Sequence, residues 1–339
     1  MDTRIDLSAR LATLTALAPG AGAMILHRQE PPTLVARGVR IAGRAGPVTI
    51  DDPWHIGSCT KAMTATLLAR LQAKGLVDLG SGLGEALSDI AMHPAFAAMT
   101  LHDVLRHRAG IRRDPHWSVF ARLRASRAPI RAQRHHLASI ALAERPQVRT
   151  GYSNLGYIVL GAVVEAATGL TWEHAMIREV FAPLGMAGAS FGAPPLPAPV
   201  GHMLGEGRWR PKPPGPFADN PRLYGPAGRV HLPLGDWARF AAVHLGTGAS
   251  GYLPLSLLNE CHRSDPGGYA AGWGADIAPD GISSMLRHTG SNTLWFADIR
   301  LVPSAGVGIA TVCNADSVAL RHSILKWTDT VLHDIVMAK

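Results

Sequence analysis

A chain of 339 residues, 47% hydrophobic and 17% charged, has the make-up of a soluble globular protein with room for two sub-domains. The net charge of +8 raises nucleic acid as a partner, but the basic residues form no nucleic-acid motif and carry little aromatic interleaving, so that partner is unlikely. No apolar run reaches the roughly 18 to 20 residues that span a bilayer, and Cys59, Cys261 and Cys313 are too scattered for a disulfide framework or a CxxC metal site.

The opening MDTRIDLSARLATLTAL reads as an amphipathic helix, not a secretory signal. The expected compartment is therefore the cytoplasm, or the periplasm if a leader has been removed. AGAMILHRQ (21–29) and PTLVARGVRIAG (32–43) are β-forming runs bounded by Gly and Pro, expected to make a hairpin. SCTKAMTATLLARLQAKG follows as a helix with Met63, Leu67, Leu68 and Leu71 apolar, ending near Gly75. Residues from 80 to about 190 are mainly helical. Within them the basic stretch Arg112–His136 is expected to be a solvated face. The Pro/Gly-rich residues 192–216 read as a long irregular connection. Past residue 225 a helix (LGDWARFAAVHLG) precedes three apolar, β-branched runs, ISSMLRHTG, TLWFADIRLVP and GVGIATVCN, and a last helix from Ser317 to about Met337. Strands at both ends and helices between them predict one α/β domain with a helical insert.

Sixteen histidines invite a metal reading, but there is no HExxH, and His135-His136 is an adjacent pair that points to different helix faces. No metal and no cofactor are expected.

Lysine use is more informative. Only five of the 33 basic residues are lysine, and one, Lys61, stands three places after Ser58. A surface cation in this chain would be arginine; lysine can lose its proton when buried, and arginine in effect cannot. At i, i+3 on a helix the two side chains share a face. Ser58 near the helix start also meets free N–H groups that favour an oxyanion. A serine hydroxyl needs a base, and Lys61 and the Tyr152 phenol are the candidates, with a neighbouring ammonium expected to lower the tyrosine pKa. Asn154, in Tyr152-Ser153-Asn154, can hold Lys61 and a substrate amide. His288-Thr289-Gly290 lies on a strand, along which a substrate could pair its backbone, with the Ser291 N–H completing an oxyanion hole. Cys59, about 100° around the helix from Ser58, should point into the core and be inert. Trp117, Trp209, Tyr224 and Trp273 are candidate wall residues.

In this order, Ser58-x-x-Lys61, Tyr152-Ser153-Asn154 and His288-Thr289-Gly290 resemble the motif set of serine β-lactamases and penicillin-binding proteins. More narrowly, the chain is similar to the class C β-lactamase, DD-carboxypeptidase and esterase-like family over nearly its whole length. TLHDVLRHRAGI, YSNLGYIVLGAVVEAATGLTWEHAMIREVFAPLGM and PAGRVHLPLGDWARFAAVHL carry the likeness. The resemblance implies a single β-lactamase/transpeptidase-like catalytic domain, 1–339. In it an antiparallel sheet flanked by helices (α/β part about 1–80 and 225–339) would carry an inserted all-helical sub-domain (about 81–224). It implies Ser58 as acylated nucleophile, Lys61 and Tyr152 as proton-transfer partners, and Asn154 with His288, Thr289 and Gly290 as substrate-binding. The implied activity is hydrolysis of a small ester, amide or D-amino-acid peptide, or weak β-lactamase activity. A non-hydrolytic penicillin-binding module and an acyltransferase are the alternatives. His-Thr-Gly stands where class C enzymes typically carry Lys-Thr-Gly, and no E-x-x-L-N element of class A enzymes is present.

Overall fold

The computed structural model describes residues 5–147, 151–215, 217–249, 251–264 and 268–338. Helix α1 (Leu7–Thr15) starts where the Asp6 carboxylate accepts from the Ala9 N–H, and Leu7, Leu11 and Leu14 fall on its buried face. It leads into the hairpin β1 (Gly20–His27) and β2 (Glu30–Gly38). Helix α2 (Thr60–Ala73) is buried almost all round, the pattern of a helix at the centre of a molecule. Helices α3 (Trp117–Ala125), α4 (Ile130–Ala143), α5 (Asn154–Thr168) and α6 (Leu234–His244) follow. Strands β3 (Gly274–Ile277), β4 (Ser284–Ser291), β5 (Phe296–Val302) and β6 (Val307–Cys313) and helix α7 (Val318–Met337) close the chain.

The six strands form one antiparallel sheet in the order β2-β1-β6-β5-β4-β3, so the two chain ends meet at its centre. Side-chain alternation divides the apolar residues between two layers. Ala21, Ala23, Ile25, Val307 and Ile309 pack with α1 and α7. Met24, Leu26, Ala310 and Val312 face the cluster that contains α2 and α5. The sheet is thus covered on both faces, and α2 delivers its first turn to the edge of β4.

Two expectations are corrected. The Pro/Gly-rich connection contains a hairpin, Gly201–Gly205 with Arg208–Lys212, turned by Glu206 and Gly207 at φ 52° and 71° and paired to Ala315–Asp316. A left-handed two-residue turn needs little regular sequence around it, so composition hid the strands. The basic stretch is not solvated throughout. Arg134 is wholly buried between Glu165 and Glu173, and donates 3.4 Å to the Leu223 carbonyl. Among the described residues no single helix is long and apolar enough to cross a membrane.

Candidate active site

The site is assembled on two glycines in contact. Gly57 opens a 3-10 turn (Gly57–Cys59) ahead of α2 and has φ +50°, which a side chain rarely adopts. A Cβ on Gly57 would lie 2.4 Å from the Ser291 nitrogen, and one on Gly290 would lie 1.9 Å from the Ile56 oxygen and 2.8 Å from the Ser58 nitrogen. Only two glycines let the Ser58 turn and β4 approach this closely. That contact sets the Ser291 amide against Gly57 and the Ser58 amide against Gly290, bringing together two motifs far apart in the chain.

The turn is braced from behind. The Gly57 N–H donates to His55 Nδ1 at 3.1 Å, and His55 Nε2 lies 2.9 Å from Asp219 Oδ1. Asp219 also accepts from Arg229 Nε at 2.9 Å and from Asn292 Nδ2 at 3.0 Å. Burial would raise its carboxyl, but His55, Arg229 and Asn292 outweigh that and hold it down at about 2. The Thr60 hydroxyl donates to the Gly57 carbonyl at 2.7 Å and accepts from the Val230 N–H at 3.1 Å.

Lys61 is wholly buried. Its Nζ lies 3.3 Å from Ser58 Oγ, 2.8 Å from Asn154 Oδ1 and 2.6 Å from the Ala227 carbonyl. Burial brings its pKa down to about 7; the Asp114 charge opposes this and Arg113 adds to it. Roughly half the amines are then neutral near pH 7, able to accept a proton. Asn154 passes the contact on, since its Nδ2 donates 2.9 Å to Asp114 Oδ1, which also accepts from the Tyr224 hydroxyl at 3.1 Å.

Tyr152 packs over Lys61, whose Nζ is 4.7 Å from the ring centroid. Its ring is also 4.5 Å from that of His107, which in turn is 4.5 Å from Tyr269. Here the structure corrects the expected phenolate. Burial raises the Tyr152 pKa well above its ordinary value, and a hydrogen bond with Ser58 lowers it only in part. Tyr152 stands as a neutral phenol bonded to Ser58, and the Lys61 amine lies within reach of the same hydroxyl.

On β4, the His288 Nδ1–H donates to the Thr289 carbonyl at 2.6 Å, so its Nε2 accepts from the Tyr269 hydroxyl at 3.0 Å. Burial first, and then the Lys61 charge, push the His288 pKa to about 3. The ring is buried and neutral. Thr289 is half-buried beside it, and the Ser291 hydroxyl turns to the opposite face, towards Asp316 and Arg321. Cys59 is buried with its thiol donating 3.4 Å to the His288 carbonyl, and burial raises its pKa.

Of the candidate wall residues, Tyr224 reaches the site through Asp114. Exposed Trp117 stacks on Phe120 at 5.6 Å, and Phe120 meets Tyr224 edge-on at 5.9 Å. Trp209 donates to the Leu17 carbonyl, and Trp273 packs on Phe240 and His244 in the core; neither joins the site residues. Sequence reasoning missed His55, His107, Asp114, Asp219 and Tyr269. His107 lies inside TLHDVLRHRAGI, but its contacts with Tyr152 and Tyr269, like those of Asp219 with His55, Asp114 with Asn154 and Tyr269 with His288, join residues well apart in the chain. Among the described residues no group of three or more His, Cys, Asp or Glu is placed to hold a metal ion.

Comparison with known proteins agrees with this geometry. The Beta-lactamase family model matches residues 9–327. Penicillin-binding protein 4 of Amycolatopsis lactamdurans is 30% identical over 315 residues, covering 83% of this chain and 77% of that protein. Esterase EstB of Burkholderia gladioli is 31% identical over 189 residues, 51% of this chain and 47% of that one. The crystal structure of a class C β-lactamase from Rhodobacter sphaeroides has the same fold, with a TM-score of 0.77 at 18% identity over 98% of this chain and 99% of that one. These relatives support an activity of the serine-hydrolase type, and the match over residues 9–327 assigns the chain to the β-lactamase family.

Proposed function

We propose that the protein is a serine hydrolase that forms an acyl-enzyme on Ser58 and hydrolyses a small ester or amide. One observation carries the reading: a wholly buried lysine amine, with its pKa brought to about 7, lies 3.3 Å from the Ser58 hydroxyl. Neutral Lys61 takes the Ser58 proton as Oγ attacks the substrate carbonyl carbon. The oxyanion that forms faces the Ser58 and Ser291 N–H groups, donors already fixed by the Gly57–Gly290 contact. The Tyr152 phenol, bonded to Ser58, hands a proton to the leaving alkoxide or amine and is resupplied by the Lys61 ammonium. Water then attacks the acyl carbon, returning its proton by the same route and freeing Ser58. An acyltransferase would use the same steps with another acceptor in place of water.

The test is intact mass after a fluorophosphonate. One adduct is expected, mapping to Ser58, and Ser58→Ala should abolish it. A burst of product followed by steady turnover is expected with p-nitrophenyl esters; a burst alone would leave the non-hydrolytic module. Labelling that persists in Ser58→Ala overturns the assignment.

A second observation favours one class of substrate. Asp114, beside Asn154, places a half-exposed carboxylate at the cleft, 3.6 Å from Arg113, while His288 offers no positive charge. With Arg113 engaged by Asp114, esters and amides of amino acids with a free α-ammonium fit the site better than substrates that bear a carboxylate. Ranking kcat/KM for an amino-acid ester against its N-acetylated form tests this.

A further inference from the structure

Beside Leu223 lies a cavity of about 510 Å3, within the size range of small-molecule sites. Ser58, Lys61, Tyr152, Asn154 and His288 do not line it, so it is separate from the nucleophile. Four arginines do: Arg124 and Arg127 from the end of α3, and Arg222 and Arg229 from the opposite wall. Among the described residues its only acidic lining residue is Asp219. That carboxylate is already engaged by His55, Arg229 and Asn292. Among the described residues, neither Arg127 nor Arg222, both exposed, has a carboxylate partner. The start of α4 at Ile130 also borders the cavity and adds its end of the helix dipole. Leu123, Ile130, Phe191 and Leu223 supply an apolar floor.

We propose that this cavity is a second ligand site, for a small organic anion: a carboxylate or phosphate monoester carried on an apolar body. Guanidinium groups pair with such oxyanions through two parallel hydrogen bonds, and the apolar floor buries the rest of the ligand. An uncharged molecule of the same shape leaves the Arg127 and Arg222 guanidinium groups unanswered. Occupancy also reaches the nucleophile turn. Asp219 is tied to His55, which holds the Gly57 N–H, and Asn220 donates 3.2 Å to the Gly228 carbonyl behind Gly57.

The experiment is calorimetric titration of the full chain carrying Ser58→Ala with phenyl phosphate, benzoate and neutral benzamide. At least one anion should bind, benzamide should not, and the stronger anion identifies which headgroup the site takes. The double variant Arg127→Gln/Arg222→Gln should weaken that binding by at least about tenfold, with an unchanged thermal midpoint. Arg113→Gln, at the mouth of the catalytic cleft, should leave it intact. No binding by either anion at millimolar concentration, equal binding of benzamide, or full affinity in the double variant would each overturn the proposal. The nucleophile is absent throughout, so the result is independent of whether Ser58 is acylated.

Discussion

Lys61 and His288 are two buried nitrogen bases in one cleft, and burial weakens the charged form of both. Their ordinary values, 10.5 and 6.5, differ to begin with, and burial pushes both down by a similar amount. Lys61 points at three acceptors, Ser58 Oγ, Asn154 Oδ1 and the Ala227 carbonyl, and Asp114 favours its charge. It settles at about 7, where a proton can come and go. His288 meets a donor, the Tyr269 hydroxyl, at its free nitrogen, and the Lys61 charge repels a proton further. It settles at about 3 and stays neutral. The cleft therefore has one wall with a group that titrates near neutrality and one that is electrostatically fixed. Burial brings the amine, which starts near 10.5, into the neutral range and carries the imidazole below it.

The sharpest way to break this comparison is Lys61→Arg, which keeps a cation and removes the proton acceptor. Turnover of a p-nitrophenyl ester should fall at least about a hundredfold, the scale of general-base catalysis. Tyr152→Phe should be similarly damaging, and the two losses should not add if they serve one relay. Near-wild-type turnover in Lys61→Arg would reduce position 61 to a structural cation.

On the fixed wall, Gly290→Ala is the corresponding test. Its methyl would collide with the Ile56 carbonyl and press on the Ser58 nitrogen, so β4 and the nucleophile turn must part. Overpacking of this kind costs about 1–3 kcal/mol of stability. Loss of the preset amide geometry should lower kcat by at least about tenfold. A lowered thermal midpoint with unchanged kcat would show that the Gly57–Gly290 contact holds the fold together without shaping the oxyanion site.

A smaller effect is expected at Asp114→Asn. The substitution is isosteric and keeps an oxygen to accept from Asn154 and Tyr224, but removes the charge that raises the Lys61 pKa. Lys61 should then lose its proton at lower pH, and the acid limb of kcat against pH should move the same way. The rate at neutral pH should change by at most about threefold. An acid limb that moves upwards, or stays in place, would remove Lys61 as the group that titrates there.

How much of this was legible beforehand differs between the two walls. The Ser58–Lys61 pair was readable from one-turn spacing and a scarce lysine, and its meeting with Tyr152 and Asn154, about 90 residues on, from the order of the motifs in the family it resembles. The strands around His288 were readable from apolar runs between turn signals, and the start of the last helix from Ser317, whose side chain accepts from the Leu320 N–H. That His288 is neutral near pH 7 followed from its ordinary pKa and the nearby Lys61; how far burial lowers that pKa did not. Nor did its pairing with Tyr269, 19 residues away on an irregular segment, which no period or motif announces. The same holds for Asp114, which reaches Lys61 only through Asn154, 40 residues on. The hairpin at 201–212 was missed because its strands carry Gly, Pro and Arg where β-branched residues are the usual signal.

The smallest expected effect is an absence of change, and it separates the two walls most directly. With an ordinary histidine pKa near 6.5, His288 would gain a proton as pH falls from 8.5 to 5.5 and favour a substrate carboxylate. The groups around it oppose that: Lys61 from α2, Arg287 on its own strand, the neutral Tyr152 ring 6.2 Å away, and the Tyr269 hydroxyl that fills Nε2. The folded pKa of about 3 lies below the whole range, so the ring stays neutral throughout. Lys61 gains charge over the same range in both the wild type and His288→Gln, so any change in the ratio that the two proteins share belongs to Lys61. The ratio of kcat/KM for a carboxylated ester to that for its uncharged analogue should therefore follow the same course in wild type and His288→Gln, within about twofold, from pH 5.5 to 8.5. A ratio that climbs as pH drops below 6.5 in the wild type, and not in His288→Gln, would mean that His288 takes up a proton in the working enzyme and that Tyr269 does not hold it neutral.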